Sequence, residues 1–133
     1  MMNTRMAFAL FALALTAGSA AKAGTLASAP NYGGYTIANN GGAVNCRLFN
    51  AGTGTAQILT RQIIDNAGAV ITLSADNCKA GLGPSKSCEF DANIPGNFAF
   101  ACRATYSGTG ILLRGVSEVL DVNGNNVGVV PMQ

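Results

Sequence analysis

The sequence predicts an all-β protein, a β-sandwich or small barrel of seven to eight antiparallel strands. Three observations point there. Short β-prone runs alternate with Gly, Asn, Ser and Pro punctuation over most of the 133 residues. No window of useful length carries a helical apolar stripe. Four cysteines, Cys46, Cys78, Cys88 and Cys102, are spaced for cross-linking a small core rather than for chemistry.

Residues 1–23 read as a signal peptide. A short start containing Arg5 precedes an apolar run from Met6 to Ala17, and small residues follow it, ending in Ala21-Lys22-Ala23. A basic start, a short apolar stretch and an A-x-A site define a cleavable secretory signal. The run falls short of the ~18–20 residues that a membrane span needs. Cleavage is expected after Ala23, with Gly18-Ser19-Ala20 offering an alternative cut. The location implied is periplasmic or secreted, and the Ala-rich signal favours a bacterial source. Removing Arg5 and Lys22 leaves six basic residues against six acids, a net charge of zero. Nucleic-acid binding, which needs a basic face to displace counterions, is not expected. Nothing after Ala23 reads as a membrane span.

Residues 24–33 are small and polar and read as a flexible lead-in; residues 34–133 read as a single domain. Strands are expected at 34–38, 43–50, 56–64, 69–74, 87–93, 98–106, 111–122 and 127–130. The turn signals between them include Asn39-Asn40-Gly41-Gly42, Asp65-Asn66-Ala67-Gly68, Ser107-Gly108-Thr109-Gly110 and Asn123-Gly124. Such turns supply the positive φ that hairpins need. Two strands alternate cleanly. Val44, Cys46 and Leu48 share one face of 43–50, with Asn45 and Arg47 opposite; Phe98, Phe100, Cys102, Ala104 and Tyr106 share one face of 98–106. With a side-chain period of two, Cys46 and Cys102 both point into the core.

Four cysteines allow three pairings. The expected one is Cys46–Cys102, between two apolar strand faces, with Cys78–Cys88 closing the loop Lys79–Ser87. By loop entropy the long bridge is worth roughly 4 kcal/mol and the short one roughly 3 kcal/mol. Intervals of 31, 9 and 13 residues fit neither a zinc site nor a C-x-x-C redox pair. The stretch Asn77-Cys78-Lys79-Ala80-Gly81-Leu82-Gly83-Pro84-Ser85-Lys86-Ser87-Cys88, with core cysteines in an early and a late strand, resembles exported bacterial immunoglobulin-like domains over about residues 43–122. The chain differs from the antibody type in lacking Trp and in carrying Phe100 where a corner Tyr would sit. The resemblance implies an immunoglobulin-like sandwich with two disulfides and an exported life. It implies no activity, because such folds host many functions.

The chain has no histidine, so a Ser-His-Asp triad is impossible and the usual general base is missing. Ser85-Lys86-Ser87 reads as a solvated turn, and Glu89 and Asp91, on one face of 87–93, as charges that protect an edge strand. No catalytic residue, cofactor or metal is expected. If Ser107–Gly110 turned a tight hairpin, Arg103 would face Arg114 on the outer side and Cys102 would face Gly115. Like charges directly opposite destabilise a sheet, so Arg103 and Arg114 are candidate contacts for an anion or an acidic partner. A bulge near Gly115–Ser117 is expected, because the apolar positions shift from odd (Ile111, Leu113) to even (Leu120, Val122). The expected function is a small exported non-catalytic binding or structural module whose partner is a protein or another envelope component. The alternative is a subunit of a surface assembly that joins neighbours by strand addition. A remote third reading is a small metal- or carboxylate-dependent enzyme.

Overall fold

The structure of the protein, a computed structural model, describes residues 21–33, 42–94 and 98–133, with backbone alone at Tyr32, Gly33 and Phe98. Residues 1–20 of the expected signal peptide and the strand expected at 34–38 lie outside these residues. Ten strand segments form: β1 (Lys22–Ala27), β2 (Asn31–Gly33), β3 (Gly42–Asn50), β4 (Gln57–Asp65), β5 (Val70–Ile71), β6 (Ala75–Asp76), β7 (Ser87–Ile94), β8 (Phe98–Gly108), β9 (Leu113–Leu120) and β10 (Asn126–Met132). They make two antiparallel five-stranded sheets. One has the order β1-β8-β4-β5, with β2 also on β8; the other has the order β10-β9-β3-β7-β6. The all-β class and the two disulfides match expectation.

The strand count exceeds the seven to eight expected, and the reason lies in residues 24–33. Far from a loose lead-in, they belong to β1 and β2. β1 pairs Lys22–Ala27 with Gly108–Arg103 of β8, and β2 pairs Asn31–Gly33 with Phe100–Phe98. The pairing shifts by one residue around Ala29-Pro30, so the two segments form one strand interrupted by a kink, and nine strands remain on that count. Pro30 has no N–H to donate, which suits a break on an edge strand. Lys22 and Ala23 lie inside β1, upstream of the expected cleavage point.

Alternation drives the core. Val44, Cys46 and Leu48 of β3, Phe90 and Ala92 of β7, Ile63 of β4, and Phe100, Cys102 and Ala104 of β8 are all buried between the sheets. Each fully buried Phe, Leu or Ile stabilises by roughly 1.5–3 kcal/mol. Cys46–Cys102 joins β3 to β8, one strand from each sheet, with a Cα separation of 5.8 Å; Cys78–Cys88 closes its loop at 5.1 Å.

Two turns share one device. Asp65 and Asp121 each receive two backbone N–H bonds on Oδ1, from Ala67 and Ala69 and from Asn123 and Asn125. Gly68 and Gly124 take the positive φ, 83° and 79°, three residues after each Asp. These turns close β4–β5 and β9–β10. Side-chain and backbone hydrogen bonds from Asn125, outweighing a small desolvation, hold the Asp121 carboxyl below its usual range.

The third turn signal behaves differently. Ser107–Gly110 makes no hairpin: β8 and β9 belong to different sheets. Both edges of β8 are already occupied, by β4 on one side and by β1 and β2 on the other. The chain therefore arches across the sandwich. It is caught by backbone bonds from Ala51 to Leu112 and from Thr53 and Gly54 to Gly110. Consequently Cys102 sits opposite Ile63, and Gly115 sits opposite Leu48 and Met132. The bulge expected near Gly115–Ser117 is also absent. The register of β9 on β3 is continuous from Leu113 to Leu120, and Leu113, Ser117 and Val119 keep the odd positions buried throughout. Leu120 is only half-buried, so the apparent shift of apolar face comes from residues outside the core. The strand expected at 69–74 shortens to Val70–Ile71, and Ala75–Asp76 crosses to the other sheet as β6.

Each side of the sandwich carries a clasp between sheets. On one, Ala27 and Gln133 exchange backbone bonds of 2.9 Å, and Asn31 Nδ2 donates to the Ser117 carbonyl at 3.3 Å. On the other, Arg61 of β4 pairs with Asp76 of β6 at 2.8 Å, while Asp76 Oδ1 accepts from the Cys78 N–H.

Candidate binding face on the second sheet

The antiparallel register sorts the outer face of the β10-β9-β3-β7 sheet into rows. The first row is Ser87, Phe49 and Arg114; the second is Glu89, Arg47, Val116 and Pro131; the third is Asp91, Asn45, Glu118 and Val129. Parity puts Phe49 on this face because Leu48 and Asn50 on either side of it point inward. Its ring is 42% exposed.

Charges on the face are unevenly matched. Arg47 is held between Glu89 at 3.3 Å and Glu118 at 3.7 Å. Arg47 and Glu89 are nearly half exposed and Glu118 is more sheltered, so the pairs are worth about 0.5–1 kcal/mol each. Arg114, opposite Phe49, makes no ion pair or side-chain hydrogen bond among the described residues. Between the two arginines lies a groove of about 290 Å³ lined by Arg47, Leu48, Phe49, Ser87, Arg114, Gly115 and Val116. Its lining is almost wholly carbon, to which both arginines contribute. A larger recess of about 450 Å³ around Gly42, Asn93, Leu120 and Asp121 adjoins the start of β3 and takes no part in this face.

Asn50 locks the Phe49 end in place. Fully buried, it donates from Nδ2 to the carbonyls of Gly54 (2.7 Å) and Leu82 (2.9 Å), and its Oδ1 accepts from the N–H of Gly52 (3.0 Å) and Leu112 (3.4 Å). Three loops converge on one amide whose four bonding positions are all used. Gly52 is required here, because a Cβ would come within 2.3 Å of the Gly110 carbonyl oxygen. Ser85 donates its N–H to the Asn50 carbonyl from a turn in which Ser85 itself has φ 57°. Ser85-Lys86-Ser87 is thus turn framework.

The two sequence candidates Arg103 and Arg114 are not brought together. Arg103 lies on the other sheet, where Nε and Nη2 both bond Gln62 Oε1, at 2.9 and 2.6 Å. Their mutual repulsion, the basis for pairing them, does not arise, because the hairpin that would have opposed them does not form. Glu89 and Asp91 share an outward face as expected but engage different neighbours: Glu89 faces Arg47 and Asp91 faces Asn45. All four cysteines are in disulfides. Among the described residues no group of three or more His, Cys, Asp or Glu is placed to hold a metal ion, and no helix is long and apolar enough to cross a membrane.

Sequence reasoning missed the groove, the Asn50 node and the Arg61–Asp76 clasp. The first had a usable signal: a Phe at the odd position of a strand whose other odd residues are Ala43, Asn45 and Arg47. Two disulfides in an all-β chain are compatible with an extracellular or periplasmic location. Comparison with protein-family models, with curated proteins and with solved structures finds no match, so fold and site rest on this chain's own geometry.

Proposed function

We propose that this protein is a small exported, non-catalytic binding module with an immunoglobulin-like sandwich, acting in the periplasm or outside the cell. Its partner is a protein or another envelope component, met through the outer face of the β10-β9-β3-β7 sheet. One observation carries this reading: Phe49 stands exposed on a groove beside Arg114, which has no ion-pair partner among the described residues, on a face whose other arginine is already neutralised. Aromatic and arginine side chains dominate the energy of protein interfaces. The apolar run before Ala17, the A-x-A site and the two disulfides support export.

The test is site-specific photo-crosslinking in the native host. A photoreactive residue replacing Val116 is expected to capture a discrete partner, whereas one replacing Thr105, on the outer face of the other sheet, is not. Equal capture from both positions, or none from position 116, defeats the reading.

A second reading, a subunit that joins its neighbours by strand addition, is favoured by the placement of β1 and β2. This N-terminal strand lies along β8 with only Leu26, Ser28 and Asn31 buried among its described side chains. A neighbour's strand would fit the same edge. Concentration-dependent oligomers in size-exclusion chromatography are expected on this reading, and a strict monomer opposes it.

A further inference from the structure

Resting on the binding-face reading, we infer that the Phe49–Arg114 groove takes an acidic, apolar polypeptide segment: one bulky apolar side chain in the groove and a carboxylate one or two residues away, on Arg114. Three observations on the face lead there.

The groove, at about 290 Å³, lies at the bottom of the range for small-molecule pockets, roughly 300–1,000 Å³. It suits a side chain better than a whole ligand or a long acyl chain. Its side-chain carbon surfaces come from Phe49 and Val116, with Leu48 fully buried beneath, while the Ser87 hydroxyl is the one uncharged polar side-chain group in the lining. An apolar side chain is the matching occupant.

The charge on the rim selects the flanking residue. Arg47 is matched by Glu89 and Glu118, whereas Arg114 has no acid among the described residues. An arginine fork engages a carboxylate through two parallel bonds, which fixes direction as well as position. The register sets that direction. Arg114 stands in the row of Phe49, at the Asn50 end, and Glu118 stands two rows away. A segment that placed its acid towards Glu89 and Glu118 would meet like charge. The bound segment therefore has a polarity, with its carboxylate at the Arg114 end and its apolar side chain towards Val116.

The frame is rigid enough for such recognition. Asn50 ties the end of β3 to the 51–54, 82 and 112 backbones, so Phe49 and Arg114 are presented from a fixed register. A preformed face avoids part of the ordering cost of binding.

The experiment is selection of a displayed random-peptide library on the full exported chain with both disulfides formed, in parallel with the Arg114→Ser and Arg114→Glu variants. Selected peptides are expected to carry Asp or Glu within two residues of Leu, Ile, Phe or Met. The acid preference should vanish on Arg114→Ser and turn to Lys or Arg on Arg114→Glu, with the apolar preference kept throughout. A selected peptide resynthesised alone should bind Arg114→Ser about ten- to a hundredfold more weakly than the unaltered chain, the loss expected of a hydrogen bond to a charged group. Phe49→Ser should weaken every selected peptide. Peptides without acid enrichment, or the same enrichment on Arg114→Ser, overturn the inference but leave the binding face intact if crosslinks at position 116 persist. Sedimentation with phosphatidylglycerol vesicles that depends on Arg114, with no peptide selected, replaces the polypeptide by a membrane surface and also overturns it. Failure of both peptide selection and crosslinking at 116 removes the face itself.

Discussion

The outer faces of the two sheets dispose of their polar groups in opposite ways. On the β1-β8-β4 face, Thr60 and Thr105 hydrogen-bond each other at 2.7 Å, and Thr25 is opposite Thr105 on the third strand. Arg103 is spent on Gln62. The apolar groups beside them are Ala23, Ala27, Ala101 and Ile64, with Leu59 exposed at the bulge of β4. On the β9-β3-β7 face an aromatic residue is exposed at one end beside a guanidinium with no ion-pair partner among the described residues, while the other end is a closed set of Arg47 with two glutamates. A face that completes its own hydrogen bonds gains little from a partner. A face with an open donor fork beside carbon surface gains both charge pairing and burial.

The predictions that test this contrast run from what both faces share to what separates them. Replacing Cys46 and Cys102 together by Ala removes the disulfide that joins the two sheets and should cost about 4 kcal/mol in chemical denaturation, affecting both faces alike. Asn50→Ala strips one amide from three loops and leaves their buried backbone groups unsatisfied. A loss of about 2–4 kcal/mol is expected, together with increased amide exchange at Gly52 and Leu112. Arg103→Ala and Arg114→Ala sharpen the comparison most. The first should cost about 0.5 kcal/mol through its bonds to Gln62 and leave partner capture unchanged; the second should leave thermal stability within about 0.5 kcal/mol and weaken capture. If the effects are reversed, the face assignment is wrong.

Ser85→Gly should stabilise by about 0.5 kcal/mol, because Ser85 holds φ 57° in a turn where glycine is unstrained. The smallest effect concerns pH. The Asp121 carboxyl is held below its usual range by Asn125 and Asn123, so its contribution is present above the ordinary carboxylate pKa and lost as pH falls through the lowered one. Exchange at the Asn123 and Asn125 amides should rise on acidification, and Asp121→Asn should remove that dependence.

Much of the fold was legible because local rules were sufficient for it. Alternation in 43–50 and 98–106 placed Cys46 and Cys102 inward, and the bridge between them follows. Asp three residues before Gly marked both true hairpin turns. The failures share a cause. Ser107–Gly110 has the composition of a hairpin turn, but whether a strand folds back on its predecessor depends on whether that edge is free, and β8 has β4 on one side and β1 with β2 on the other. Residues 24–33 have the composition of a loose segment, yet pairing with β8 satisfies their backbone regardless of their small side chains. Arg61–Asp76 spans fifteen residues and two sheets, a distance over which no periodicity carries information.

By itself the sequence determined which side chains share a face, which cysteines pair and where two hairpins turn, since these follow from a period of two and from local side-chain bonding. Only the tertiary structure decided which face is spent and which is open. That depends on strand order, which is a competition among edges for partners across the whole chain. The same competition separated Arg103 from Arg114, gave the first its glutamine, and left the second at the rim of a groove.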